Sequence, residues 1–119
     1  MSNITYLRGN IFESSAQVWV NPVNCHGVMG KGLALQFRKR FPQMYEQYRH
    51  DCSRGLVKTG NIHIHAVHPY KTPRWIINLP TKDHWRNPSR LEYIKSGLNH
   101  LTELCRPLQI ESVAIPALG

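Results

Sequence analysis

Residues 17 to 41 read QVWVNPVNCHGVMGKGLALQFRKRF, and three patterns succeed one another within them. Gln17 to Val20 is apolar, β-branched and aromatic, the composition of a buried strand, and Pro22 is expected to end it. Gly27, Gly30 and Gly32 then fall within six residues. Beyond them Leu33, Leu35, Phe37 and Phe41, interleaved with Arg38, Lys39 and Arg40, predict a basic helix that stops near Pro42. Strand, glycine-rich loop and helix in that order open an α/β unit. The loop then lies at the carboxyl end of a strand, where open sheets of this class bind ligands.

Working outward, ITYL at residues 4 to 7 predicts a further strand ahead of the turn residues RGN. Gln43 to Cys52 predicts a second helix, presenting Met44, Tyr45, Tyr48 and Cys52. Asn61 to Val67 alternates isoleucine and histidine as a strand does, Tyr70 to Pro73 reads as a turn, and Arg74 to Leu79 is another apolar strand ending at Pro80. Leu91, Ile94, Leu98, Leu101 and Leu104 share helical spacing across Ser89 to Leu104, and Ser112 to Ile115 closes the series with a strand. That order predicts an α/β sandwich rather than an all-helical or all-β fold. At 119 residues the chain is expected to form one domain.

Hydrophobic residues make up 41% of the chain and are spread along it, which excludes disordered and low-complexity classes. No apolar run approaches the ~20 residues that span a bilayer. The opening MSNITYLRGN has no basic-then-apolar leader, so a cytoplasmic protein without a membrane partner is expected. Cys25, Cys52 and Cys105 are odd in number and widely spaced, which outlines neither a disulfide framework nor a zinc ribbon. Cys52 and Cys105 are expected at or near the core, and Cys25, in the glycine-rich loop, is the candidate reactive thiol.

Fifteen Lys and Arg against seven acidic residues give a net charge of +8, a surface that attracts polyanions. His63 and His65 share one face of their predicted strand, and His68 follows. No acidic or sulfur ligand lies near them in sequence, and a half-exposed strand is a simpler account than a metal site, so no metal is expected.

The chemistry concentrates in two stretches. Glycines in Asn24 to Leu33 permit positive φ and let backbone N–H groups approach a ligand, while the helix beyond contributes the positive end of its dipole; that combination suits phosphates. The spacing matches neither GxGxxG nor GxxxxGK[ST], so the dinucleotide-fold and P-loop readings lose their main support. The second stretch, Asn78 to Arg86 (NLPTKDHWR), follows a strand and projects from the same sheet edge. Lys82, flanked by a hydroxyl, a carboxylate and an aromatic ring, is either a partly desolvated nucleophile or a lysine that contacts phosphate. Trp85 beside Arg86 pairs a stacking platform with a cation, as single-stranded nucleic acid binders do, whereas Trp19 and Trp75 lie in strands and are expected in the core.

LRGNIFES, WVNPVNCHGVMGKGLALQFRKRFP, IINLPTKDHWRNPS and SVAIPALG, in this order, resemble the macro domain. Within that family they are most similar to the DarG-type bacterial antitoxins paired with DNA ADP-ribosyltransferase toxins. The resemblance covers nearly the whole chain. It implies a three-layer α/β/α mixed sheet that holds ADP-ribose in a cleft, with no cofactor, and a glycohydrolase that removes ADP-ribose from thymidine bases in single-stranded DNA. Asn10 and Ile11 would lie at the adenine end and Asn24 at the distal ribose. Val28, Met29, Gly30, Lys31, Gly32 and Leu33 would wrap the diphosphate and that ribose, with Thr81 completing the ADP-ribose pocket. Lys82 matches the family's catalytic lysine, which attacks the anomeric carbon and opens the ribose; Trp85 and Arg86 are the candidate DNA contacts.

Two departures from the family pattern qualify this. Asn10 stands where many macro domains carry aspartate, replacing a carboxylate contact by an amide. Pro116, Ala117, Leu118 and Gly119 resemble the opening of a second glycine-rich loop that also binds ADP-ribose. The sequence therefore reads as C-terminally incomplete relative to the family, with binding expected to survive better than turnover. Two other readings fit the residues: an ADP-ribose reader that does not hydrolyse, and a nucleic acid binder with no nucleotide pocket.

Overall fold

The computed structural model describes residues 5–118. Among these residues four strands form one mixed sheet: β1 (Val18–Val23), β2 (His63–Ala66), β3 (Trp75–Pro80) and β4 (Val113–Ala114), in the order β2-β3-β1-β4. β1 pairs parallel with both β3 and β4, and β2 pairs antiparallel with β3. Helices α1 (Gly32–Arg40) and α2 (Pro42–Ser53) follow β1, and α3 (Leu91–Cys105) connects β3 to β4.

Alternation along the two central strands sorts their side chains to opposite faces. Trp19 and Val23 of β1 and Ile76 of β3 join Met29, Phe37, Met44, Tyr48 and Val57 in a core beneath α1 and α2. Val18 and Val20 of β1 with Ile77 and Leu79 of β3 form a second core, capped by Leu101 of α3. A sheet with apolar clusters on both faces needs helices on both faces, which gives the expected three-layer α/β/α arrangement. Cys52 and Cys105 pack against these cores, and Trp19 is buried while Trp75 is half-buried, as expected.

Two local expectations are corrected. Residues 5 to 7 form no strand, and Ile4 lies outside the described residues. Tyr6 and Leu7 are 93% and 86% exposed, so this alternating segment pairs with no described strand and its side chains gain nothing by burial. A 3-10 turn, Ile11–Glu13, precedes β1 instead, with the Asn10 side chain accepting from the Phe12 N–H at 3.0 Å. Pro22 does not end β1, which runs to Val23. β4 pairs only with Val18 and Trp19, so no neighbour on that side requires the N–H that Pro22 lacks.

The strand β2 is half-exposed as expected, and on it His63 packs under α2 with its side chain only 10% exposed. A polar chain passes from there into the first core. Asn21 Nδ2 donates to Asn78 Oδ1 at 3.0 Å, and Asn78 Nδ2 lies 3.1 Å from His63 Nδ1. His63 Nε2 lies 2.8 Å from Asp51 Oδ2, which also accepts from Gln47 at 2.9 Å. Because the Asn78 amide nitrogen is a donor, Nδ1 must accept, and Nε2 carries the proton that faces Asp51. Every bond then points the same way, from the buried Asn21 to the carboxylate near the surface.

Two measurements test this packing. A Cβ at Gly97 of α3 would stand 3.0 Å from Leu79 Cγ, so Gly97→Val is expected to lose about 1–3 kcal/mol by overpacking in urea melts, while the alanine variant loses less because helix propensity offsets the crowding. Hydrogen bonds from Gln47 and then His63 hold the Asp51 carboxyl below the ordinary carboxylate range. A depressed carboxyl contributes stability that is full above its unfolded pKa and lost as pH falls through the folded value. Asp51→Asn is therefore expected to shrink the fall in melting temperature between neutral pH and pH ~3; a fall as large as the wild type's would remove this carboxylate from the acid response.

Candidate functional site

Because β1 and β3 run parallel in register, with Asn21 opposite Asn78 and Val23 opposite Pro80, both chains leave the sheet at the same edge. β4 is parallel to β1, so Pro116 to Leu118 leave at that edge too; Gly119 lies outside the described residues. The two chemistry-bearing stretches are thus adjacent, and they are joined directly. The Cys25 N–H donates to the Asp83 carbonyl at 2.8 Å. The His26 Nε2 lies 3.7 Å from Asp83 Oδ1, and the His26 and His84 rings are 4.8 Å apart.

Side chains turned inward hold the first loop. Asn24 is 6% exposed, and its Oδ1 accepts from the His26 N–H at 2.8 Å and the Val28 N–H at 3.4 Å, while Nδ2 donates to the Val28 carbonyl at 2.7 Å. This is the side-chain turn that asparagine forms in place of a backbone one. The Tyr48 hydroxyl lies 2.7 Å from the Asn24 carbonyl oxygen and 3.1 Å from Oδ1, tying the turn to α2. Burial pushes that phenol far up, so it stays protonated as a donor. Met29 is fully buried among the first core residues and accepts a contact from Asn21 Nδ2 at 3.7 Å. Gly27 has φ +80° and accepts from the Tyr45 hydroxyl at 3.1 Å.

The remaining loop residues face out. Val28, Gly30, Lys31 and Gly32 are exposed and Leu33 is half-buried. No side chain caps the start of α1, and no acidic residue stands in its first turn; Arg38, Lys39 and Arg40 occupy the last turn, where cations suit the dipole. The N–H groups at Gly32 and beyond are therefore left facing the loop, a ready site for an anion. The predicted ligand residues thus divide into buried Asn24 and Met29, which shape the loop, and exposed ones that offer backbone.

The second loop is fastened at its base. Thr81 is 2% exposed, its N–H donates to the Val23 carbonyl at 3.0 Å, its carbonyl accepts from the Arg90 N–H at 2.9 Å, and Ser89 Oγ donates to its Oγ1 at 3.2 Å. Lys82 comes next and is half-buried; among the described residues no carboxylate lies within ion-pair distance of its ammonium. Asp83, its neighbour, faces His26 instead. A concavity of about 310 Å³ opens on the far flank of this loop, lined by Asp83, Asn87, Pro88, Arg90 and Tyr93. Asn10 and Ile11 sit at the 3-10 turn, where Ile11 and Phe12 pack on the first core.

Cys25 is half-buried and packs against the first core. Burial, and then the neighbouring Asp83 carboxylate, push its pKa up to about 12, so the nucleophilic thiolate is suppressed at neutral pH. Its backbone, rather than its sulfur, does the joining of the two loops. His26 and His84 were not predicted as site residues. They are ordinary loop residues in sequence, and only the pairing of β1 with β3 brings their rings together.

Comparison with known proteins shows the family and the fold. Residues 20–119 match the family model described as Macro domain. A Thermus aquaticus protein named DNA ADP-ribosyl glycohydrolase is 46% identical over 116 residues, covering 98% of this chain and 32% of the relative. The chain thus spans about a third of the length of the curated relative it matches. Among solved structures, the macrodomain of Mycobacterium tuberculosis DarG superposes with a TM-score of 0.95 at 46% identity, covering 100% of this chain and 78% of that one. Thermosipho africanus DarTG in complex with ADP-ribose superposes with a TM-score of 0.85 at 33% identity, covering 93% of this chain and 32% of that one.

The loop geometry separates two glycines. Gly27→Ala forces a side chain into positive φ and is expected to cost about 1–2 kcal/mol. Gly30→Ala meets only Val28 Cγ1 at 3.5 Å, an ordinary contact, and is expected to stay within about 0.5 kcal/mol of wild type. Urea unfolding of both variants checks the difference, and equal losses would show that backbone strain at Gly27 is not what the loop requires.

Proposed function

The chain belongs to the macro-domain family, and from that premise we propose that it binds ADP-ribose and removes it from ADP-ribosylated single-stranded DNA. The observation that carries this reading is the 2.8 Å bond from Cys25 to the Asp83 carbonyl, which sets the phosphate-suited loop beside Lys82. In this assignment the uncapped start of α1 and the exposed backbone of Val28 to Gly32 hold the diphosphate and distal ribose. Asn24 acts on the ligand through the loop it shapes, Asn10 and Ile11 lie toward the adenine, Thr81 fixes the base of the Lys82 loop, and Pro116 to Leu118 border the cleft.

Lys82 is then the nucleophile. Its amine nitrogen forms a bond to the anomeric carbon as the bond from that carbon to the base breaks, and the proton that this nitrogen then sheds passes to the departing base nitrogen. Water hydrolyses the enzyme-sugar adduct and returns the free amine. The relative's name, DNA ADP-ribosyl glycohydrolase, supports this reaction class, and the DarTG structure supports ADP-ribose as the ligand. The substrate must be made by a DNA ADP-ribosyltransferase, the proposed partner activity, and the cytoplasm is the proposed location.

A second reading, an ADP-ribose reader without turnover, is favoured by the lack, among the described residues, of a carboxylate paired with Lys82 to take its proton. Turnover separates the two. Lys82→Ala is expected to slow release of ADP-ribose from a modified oligonucleotide at least about a thousandfold while calorimetry still detects ADP-ribose binding. Undiminished release by the variant would remove Lys82 from the mechanism, and no release by the wild-type chain would favour the reader.

A further inference from the structure

One buried titratable side chain, which the proposed reaction leaves unused, is wired to the glycine-rich loop. His63 is fastened at both ring nitrogens, with Asp51 Oδ2 2.8 Å from Nε2 and Asn78 Nδ2 3.1 Å from Nδ1. Beyond it, every hydrogen of two amides is engaged. Asn78 Nδ2 faces His63 Nδ1 and donates to Met44 Sδ at 3.4 Å; Asn21 Nδ2 donates to Asn78 Oδ1 at 3.0 Å and to Met29 Sδ at 3.7 Å. Met29 belongs to the loop and is fully buried, as are Met44 and both asparagines. The chain of contacts thus runs unbroken from a carboxylate of α2 to the loop.

We propose that His63 is a positioning residue for the glycine-rich loop: its neutral ring orients the Asn78 and Asn21 amides so that Met29 is held, and its imidazolium reverses them, releases Met29 and weakens the ligand site in acid. Charge sets the sense of the chain. Asp51 is an acceptor, so Nε2 carries a proton in either state, and Nδ1 acquires one only in the imidazolium. That proton would meet an amide hydrogen across 3.1 Å. Half a rotation of the Asn78 amide presents Oδ1 instead, but it aims Asn78 Nδ2 at Asn21 Nδ2, and a buried donor facing a donor is costly. Asn21 therefore turns as well, and its Oδ1 has no other partner to give up. Carboxamide oxygens then face Met29 and Met44 where N–H groups stood, and both thioethers lose their donors.

The neighbours of His63 leave it as the group that switches. From α2, hydrogen bonds from Gln47 and then His63 hold Asp51 below the ordinary carboxylate range, so it stays ionised, and His50 adds to this from the exposed side. The Tyr48 ring lies 6.1 Å from that of His63, and burial keeps its phenol and the Cys52 thiol protonated. β3 carries no titratable side chain. On β2, burial and then His63 hold His65 below its ordinary value. His26 and His84 also gain charge in acid, but positive charge beside the loop tightens an anionic ligand, the opposite sign. Because thioether sulfur is a weak acceptor, the expected coupling is at the low end of the usual range, about fivefold in affinity.

The test uses the whole chain with isotope-labelled methionine methyls, followed by NMR from about pH 8 to about pH 5, the range over which imidazoles change charge, beside ADP-ribose calorimetry at the same pH values. The Met29 and Met44 methyl signals are expected to move together with those of the His63 ring, while affinity falls about fivefold toward acid. His63→Gln keeps an acceptor for Asn78 and a donor for Asp51 without titrating, and is expected to hold the Met29 signal still and abolish the decline. Met29→Leu assigns the Met29 signal and is expected to abolish the decline whatever its affinity at about pH 8; it serves alone if the glutamine variant does not fold. A Met29 signal that ignores the His63 ring, an affinity that does not fall, or a decline in either variant equal to that of the wild type would overturn the proposal. The identity of the ligand rests on the proposed function. If the wild type binds no ADP-ribose at any pH, that reading falls, and the methyl signals alone decide whether His63 positions the loop.

Discussion

The parallel pairing of β1 with β3 is the constraint from which the rest follows. Two parallel strands in register release their chains at one edge, so the loop after Val23 and the loop after Pro80 have to meet. Asn21 and Asn78 face each other across this pair, and both are fully buried. A slip of β1 by one residue would turn Asn21 into the opposite, apolar core and separate it from Asn78, leaving buried polar groups without partners. The polar chain to Asp51 therefore specifies register. It does so at the cost of desolvating two amides, and one atom, Asn21 Oδ1, has no hydrogen-bond partner.

The loop itself is a compromise between burial and access. Asn24 and Met29, and Gly27 in its positive-φ turn, are spent on holding the backbone, and this leaves Val28 and Gly30 to Gly32 outside with their peptide groups available. Preorganised N–H groups bind an anion without first reordering, which is why a rigid loop serves better than a flexible one rich in charge. Several of the arginines have other duties. Arg38 lies 4.4 Å from the centre of the Tyr45 ring and Arg40 lies 4.1 Å from that of Phe12, so part of the basic surface covers aromatic groups instead of standing free in solvent.

Local pattern made much of the fold legible. The apolar run at 17 to 20, the helical spacing of Leu91, Ile94, Leu98 and Leu101, and the alternation at 61 to 67 each carry a period set by one element's own geometry. The glycine-rich loop was legible for the same reason, since its glycines and asparagine act within a few residues. ITYL at 4 to 7 misled because a strand exists only where another strand accepts its hydrogen bonds, and that partner is not written in the segment. Pro22 misled in the opposite sense: whether a missing N–H matters depends on which neighbour would have used it.

The sequence by itself determined most of the element types, the α/β class and the place of the glycine-rich loop, because those are written in patterns a few positions long. Only the tertiary structure decided that Asp51 faces His63 under α2, that the Cys25 thiol is raised by burial and by the neighbouring Asp83, and that the His26 ring lies 4.8 Å from that of His84. Each of these joins residues from separate elements, and no period or spacing records such a pairing. Their proximity comes from the register of β1 on β3 and from the packing of α2 onto the sheet, both of which are fixed by the burial of the whole core at once.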